Sequence, residues 1–263
     1  MSKTAIVVLV LILVIGGAIL LFKHQPPISE NRVLAGRIVL TGHRNDGSPA
    51  WSIEAQSGSL DGDVGTLEVV ELTLFTDLDT PIAVSGDRLT RDPGGSTLSG
   101  SVRVEQADTL SLVTETVFWD ERNDILESGP VTVEMAAAMI EAGAFHHDLD
   151  AGVTALTHGI TTRLTQDGEE YTVRSEMAEA TSDQLALIGG VSIQTEEGDD
   201  YRCHRLESDV SGTLIHLLGD VSGRWQGSAF SADTVQLDDT GIRLQGNVTM
   251  DLELLMMSGR HDT

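Results

Sequence analysis

The 263-residue chain reads as an all-β protein: stacked two-strand units with a period near 30 residues, behind one N-terminal membrane-spanning helix. Three observations predict this. The first is a recurring phrase of an apolar residue, glycine and an alternating strand, as in Leu98-Ser99-Gly100-Ser101-Val102-Arg103-Val104 and Gly129-Pro130-Val131-Thr132-Val133. Steps between Gly100, Gly129, Gly159, Gly189, Gly219 and Gly246 are 29, 30, 30, 30 and 27 residues. Such a period marks one supersecondary unit stacked on itself. The second is period-two alternation, which places Val102, Val104, Val131, Val133, Val191 and Ile193 on one face and Arg103, Thr132 and Ser192 on the other. The third is an uncharged N-terminal run, Ala5 to Phe22.

Residues 1–4 form a short tip. Residues 5–22 are 18 apolar or small residues, which as a helix cover about 27 Å, close to a bilayer core. No small-x-small cleavage site follows, so an uncleaved anchor is expected over a cleaved signal. Lys23, Arg32, Arg37 and Arg44 follow the run, so the positive-inside rule alone does not favour export. A cytoplasmic domain tethered at its N terminus is the alternative. Residues 23–36, with Pro26-Pro27, read as an extended spacer. Residues 37–257 carry the repeat, and 258–263 are a tail.

Counting back 30 from Gly100 reaches Val70, and Glu71-Leu72-Thr73-Leu74 repeats the alternation without the glycine. Seven copies therefore fill most of the chain. About nine residues before most of these positions stands an aspartate, at Asp61, Asp92, Asp120 and Asp238, with Asp148 and Asp209 a little earlier. These are expected to form turns, because an aspartate side chain bonds the backbone two residues on. Each unit then reads strand, turn, strand, turn. The segment Glu134 to Gly143 has helical propensity, but its register in the repeat predicts strand and turn.

The formal charge is −25, from 41 acids against 16 bases. Nucleic acid is a poor partner for such a chain, because it requires clustered Lys and Arg. The acids read mainly as solvated turns and polar strand faces. The lone Cys203 cannot form an intrachain disulfide.

Chemistry is sparsely signalled. His146-His147-Asp148 is the best metal candidate, yet adjacent strand residues face apart, and Asp148 holds the recurrent turn position. Cys203-His204 has the same defect. No nucleophile elbow, P-loop or strand-linked G-x-G-x-x-G occurs. No catalytic residue, metal or cofactor is expected. With this many acids, chance carboxylate pairs say little about glycoside hydrolysis.

The anchor, Trp51-Ser52-Ile53-Glu54-Ala55, and Leu110-Ser111-Leu112-Val113-Thr114-Glu115-Thr116-Val117-Phe118-Trp119-Asp120 leading into Ser128-Gly129-Pro130-Val131 resemble the LptC family. That family is the membrane-anchored periplasmic component of lipopolysaccharide export. The later units resemble the related LptA/OstA repeat. The resemblance covers 5–165 for LptC and continues as OstA-like units to about 254, so 37–165 and 166–257 could be two parts. It implies an open β-jellyroll whose two sheets face an apolar groove for acyl chains. It also implies an inner-membrane location with the jellyroll in the periplasm, and no enzymatic activity. The implied partners are lipopolysaccharide or a similar lipid, ABC-transporter membrane subunits at the N-terminal helix, and an LptA-like protein stacked on an edge strand.

Candidate groove residues are Trp51, Ile53, Leu72, Leu74, Val102, Val104, Val131, Val133, Val191, Ile193, Val221 and Val248. Alkyl burial is worth about 0.8 kcal/mol per methylene, so lipid needs no specific polar site. Seven strands per sheet would give a groove of roughly 30 Å. The competing readings are a structural or adhesive β-solenoid with a closed core, and a polysaccharide-active enzyme on a stacked β scaffold.

Overall fold

The computed structural model describes residues 33–251, except 44–46, 62–63, 76–80, 107–109, 121, 136–137, 149, 167–168, 182, 197, 210–213, 226–227 and 239–240. The expected anchor at 5–22, most of the spacer and the tail lie outside the described residues. Among the described residues no helix is long and apolar enough to cross a membrane.

Every element is a strand, and all pair antiparallel in one sheet. Two short strands, β1 (Val33–Ala35) and β2 (Ile38–His43), precede the repeat. Long strands follow: β3 (Pro49–Asp61), β4 (Val64–Leu74), β5 (Ile82–Asp92), β6 (Gly95–Gln106) and β7 (Leu110–Asp120). The next strand is broken at Gly129-Pro130 into β8 (Ile125–Ser128) and β9 (Val131–Met135). Pro130 has no N–H to give to a ladder, and its carbonyl instead accepts the Thr114 hydroxyl at 2.9 Å.

Then come β10 (Ala138–Asp148), β11 (Val153–Gln166), β12 (Glu169–Ser175), β13 (Met177–Ala180), β14 (Gln184–Thr195) and β15 (Asp200–Asp209). The chain closes with β16 (Ile215–Trp225), β17 (Ser228–Asp238), β18 (Gly241–Gln245) and β19 (Thr249–Met250). From β3 onward this is a meander of seven hairpins, one per sequence unit. The Glu134 to Gly143 segment enters β9 and β10, as the register required.

At Gly100, Gly159, Gly189, Gly219 and Gly246 the repeating glycine marks a β-bulge, whereas Gly129-Pro130 breaks its strand without an extra residue. Between Leu218↔Thr234 and Val221↔Ala232, β16 holds two residues, Gly219 and Asp220, against one on β17. The same excess puts Gly189-Gly190 of β14 opposite His204 of β15. Bulges of this kind need left-handed backbone, which glycine adopts without steric cost. Gly219 has φ 79° and Gly100 has φ 83°. Each extra residue bends its strand at mid-length, dividing the sheet into two arms. Side chains of both arms share clusters: Ile53 and Leu112 of one arm pack with Trp119 and Leu126 of the other. The sheet is therefore folded along the line of bulges.

The first unit lacks both the glycine and the extra residue but keeps a left-handed residue at that place. Val69 takes φ 52°, an outlier for a β-branched residue. It is 43% exposed, so it packs little. Val69→Gly should remove strain of roughly 1–3 kcal/mol at a smaller entropic cost. The expected gain is about 1 kcal/mol, read from urea unfolding.

Four of the six recurrent aspartates bond the backbone of their turns. Asp92 Oδ1 accepts Gly94 N at 2.7 Å, and Asp120 Oδ1 accepts Arg122 N at 2.9 Å. Asp148 Oδ1 accepts Ala151 N at 2.8 Å and Asp209 Oδ1 accepts Leu214 N at 3.1 Å. In the one unit without the aspartate, Thr181 Oγ1 takes the role, accepting Gln184 N at 3.2 Å. The Asn123 side-chain bond, followed by the Arg122 amide, holds the Asp120 carboxyl below its ordinary pKa.

All these turns lie at the end of one arm, here the first arm. Its inner face carries a row of register partners running from Gly58 through Leu89, Val117, Leu156 and Leu206 to Leu244. Because each bent strand serves both arms, this row crosses fourteen strands from β3 to β18. At the usual strand spacing it is roughly 60 Å long. The sequence-based figure was half of that, because it divided the strands between two sheets.

Candidate functional site

Eleven of the twelve candidate residues lie on strands of the second arm, and Val248 directly precedes β19 outside any strand. Along the ladders Ile53 pairs with Leu72, Leu72 with Val84, and Val84 with Val104. Val104 pairs with Leu112, and Leu112 with Val133. Thr162 pairs with Val173, and Val173 with Ile193. Trp51 pairs with Leu74 one row nearer the tip. Val102, Val131, Val191 and Val221 occupy the row beside the bend, where Val131 pairs with Ala142 and Val191 with Cys203. The structure thus brings these eleven candidates into three adjacent rows of one inner face. The outward residues Arg103, Thr132 and Ser192 alternate with them, as the pattern required.

Burial divides this set. Val102 and Val221 are 0% exposed, Val191 1%, and Val131 and Val133 3%. Ile53, Leu72, Leu74 and Val104 are also buried, while Trp51 and Ile193 are half-buried against the clusters. Val248 is the exception at 45% exposed. It follows the last bend, at Gly246, next to the terminal strand β19, where no further strand covers it. Exposed apolar residues gather at both ends of the meander: Val39 and Leu40 on β2, and Ile242 and Met250 on β18 and β19.

Sequence reading missed the first arm's contribution, including Leu89, Leu98, Val117, Phe145, Leu206 and Leu217. The bulge is the reason. In the glycine strands the inner parity survives the bend, from Leu98 to Val102 and from Leu217 to Val221. In the partner strands it slips by one, so Leu112 and Thr114 face inward before the bend and Val117 and Trp119 after it. Phe118 faces out at 37% exposed and lies over Gly95. A slip of phase midway through each aspartate-side strand was the available signal.

The apolar interior falls into two clusters. One gathers residues from Ile53 to Ala178, including Trp119, Leu126 and Phe145. The other gathers Val173 with residues from Val191 to Val235, including Leu206, Leu217 and Phe230. Leu187 packs against both.

The polar candidates have structural roles. His146 points outward with Nδ1 3.4 Å from Glu127 Oε1, while the Asp148 carboxylate is engaged in its turn. Cys203 is buried, which raises its thiol pKa, and His204 faces the opposite side. Among the described residues, no three His, Cys, Asp or Glu side chains could hold an ion together. Asp183, Glu207 and Asp209 line a shallow depression of about 330 Å³ with His216. Glu207 there is paired with Arg205 at 2.6 Å, and Asp209 caps its turn. Neither carboxylate is placed as the free member of an acid–base pair.

His147 is 1% exposed on the first arm's inner face, its Nδ1 2.9 Å from the Thr154 hydroxyl. Burial, the largest influence, lowers its pKa, with Asp148 opposing. Below about pH 6.5 the unfolded chain takes up a proton that the folded chain does not. Stability should therefore be full above that pH and decline as pH falls toward the folded value. Urea midpoints between pH 7.5 and 5 check this, and the decline should flatten in His147→Gln, which can still bond Thr154.

No known family profile matches the chain, and no curated protein does. Among solved structures it is similar to LptH, the LptA-homologous periplasmic component of the lipopolysaccharide transport device of Pseudomonas aeruginosa. The superposition has a TM-score of 0.36 and 9% sequence identity, over 56% of this chain and 96% of that one. A likeness that loose carries no argument about this chain, whose own geometry has to supply one.

Proposed function

We propose that the chain is a non-enzymatic lipid-binding component of a lipopolysaccharide or related glycolipid export bridge. In this reading the 5–22 helix anchors it in the inner membrane beside the membrane subunits of an ABC transporter. The folded sheet then passes lipid along its inner face to an LptA-like partner in the periplasm. The observation that carries the reading is the pair of inner faces, one on each arm, lined mainly by apolar side chains along the meander and gathered into two clusters. An acyl chain lying along such a face needs no specific polar group. The sequence resemblance at residues 110–131 supplies the lipid class. Val248, Ile242 and Met250 at the last strands suit a partner that adds a strand to this edge.

One observation favours the second reading, a structural β-solenoid with a closed core: Val102, Val131, Val191 and Val221 are already covered by protein. Under the lipid reading the two arms part to admit a chain. Solvent extraction of the full-length protein, purified from cells that make lipopolysaccharide, discriminates the two. Lipid recovered in near-stoichiometric amount from folded protein supports the bridge. Folded protein that carries none supports the closed solenoid.

A further inference from the structure

Ser175 marks the place where the two apolar clusters meet. It is 7% exposed, lies inward at the end of β12, and its hydroxyl has no hydrogen-bond partner among the described residues. Its neighbour on the β11 ladder is Ile160, which in turn pairs with Ala142. Ile160 and Ala178 belong to one cluster and Val173 and Val191 to the other. On the first arm, β13 supplies Ala178 and Ala180, both buried. The seam thus carries Ala178, Ala180 and Ser175 beside Ile160 and Leu187, with Thr154 paired to Ala180, and is lined by smaller side chains than the clusters on either side.

A buried hydroxyl without a partner costs stability, and alanine would occupy the same place at no such cost. No described residue bonds the Ser175 hydroxyl, which leaves it available to a ligand. A serine hydroxyl donates one hydrogen bond and can also accept, which suits a single hydroxyl group on the ligand. The surroundings are alkyl, and no charged side chain is buried at the seam among the described residues. A phosphate or a sugar would require several donors and charge there. We infer that the seam is a subsite for a fatty chain carrying one oxygen within its length, a mid-chain hydroxyl, with Ser175 as its hydrogen-bond partner. This rests on the lipid-binding reading and adds a chain-type preference to it.

The test compares 12-hydroxystearate with stearate as ligands of the full-length protein, measured by native mass spectrometry. The expected result is a preference of about tenfold for the hydroxylated chain, the size of one well-placed buried hydrogen bond. Ser175→Ala should reduce that preference to within about twofold by weakening the binding of 12-hydroxystearate. Ala178→Leu, which fills the seam, should weaken both ligands. Equal binding of the two chains by the wild type, or a preference that survives Ser175→Ala, overturns the subsite and leaves the lipid-binding reading intact. Binding of neither chain by folded wild-type protein overturns both.

Discussion

Replacing Leu217 by alanine is expected to destabilise the C-terminal cluster by about 2–5 kcal/mol while leaving the N-terminal one largely protected. Leu217 is 1% exposed and pairs with Leu206 and Val235 on the neighbouring strands. Truncation removes buried apolar atoms and leaves a cavity, because close-packed neighbours relax only in part. In an antiparallel meander each strand touches only its neighbours, so stability is nearly a sum of local and nearest-neighbour contributions. Leu187 is the described contact common to both clusters, and a serine and alanines flank it. Hydrogen exchange should therefore show protection lost across β14 to β17 and kept across β3 to β7. Leu126→Ala, in the other cluster, should give the reverse distribution. Equal loss along the whole chain in both variants would mean that the clusters unfold as one.

The bend should be equally sensitive. A Cβ built on Gly100 would lie 2.3 Å from the Asp87 carboxylate, and the residue has φ 83°. Gly100→Val therefore forces either the bulge or the Asp87 strand to move. Left-handed strain and the clash together should cost roughly 3 kcal/mol or more. The effect should extend beyond stability. Without the bulge β6 loses its bend, and the arms no longer face each other there, so the inner residues Val102 and Val104 become accessible. A conservative control is Gly129→Ala, where nothing lies within 4 Å of the added carbon and φ is not left-handed. That change should cost under about 1 kcal/mol in a chemical-denaturation midpoint.

How much of this was legible in the sequence depends on which residues followed a simple period. The glycine phrase and the alternating valines gave seven units and the inner face of the second arm, because period two is unbroken between Val102 and Val104 or Val191 and Ile193. Asp92, Asp120, Asp148 and Asp209 were readable as turns, since an aspartate bonds the backbone locally and needs no tertiary context. The first arm was not readable. Its inner residues Val117, Phe145 and Leu206 follow a bulge that shifts the phase of the strand, and a shift of one residue exchanges the two faces. The division of the interior at Ser175 was hidden as well. A serine in an alternating strand reads as an outward residue or a neutral inward one, and only its burial without a partner distinguishes it.

In-cell photocrosslinking decides whether lipid lies between the two arms, as the proposed bridge requires. A compact diazirine amino acid at Val131 and Ile193 would report on the inner face, with Thr132 and Ser192 as outward controls. The account predicts lipid adducts at the inner pair and none at the outer pair. Adducts at neither position, in protein that remains folded, would contradict it and leave a closed structural solenoid.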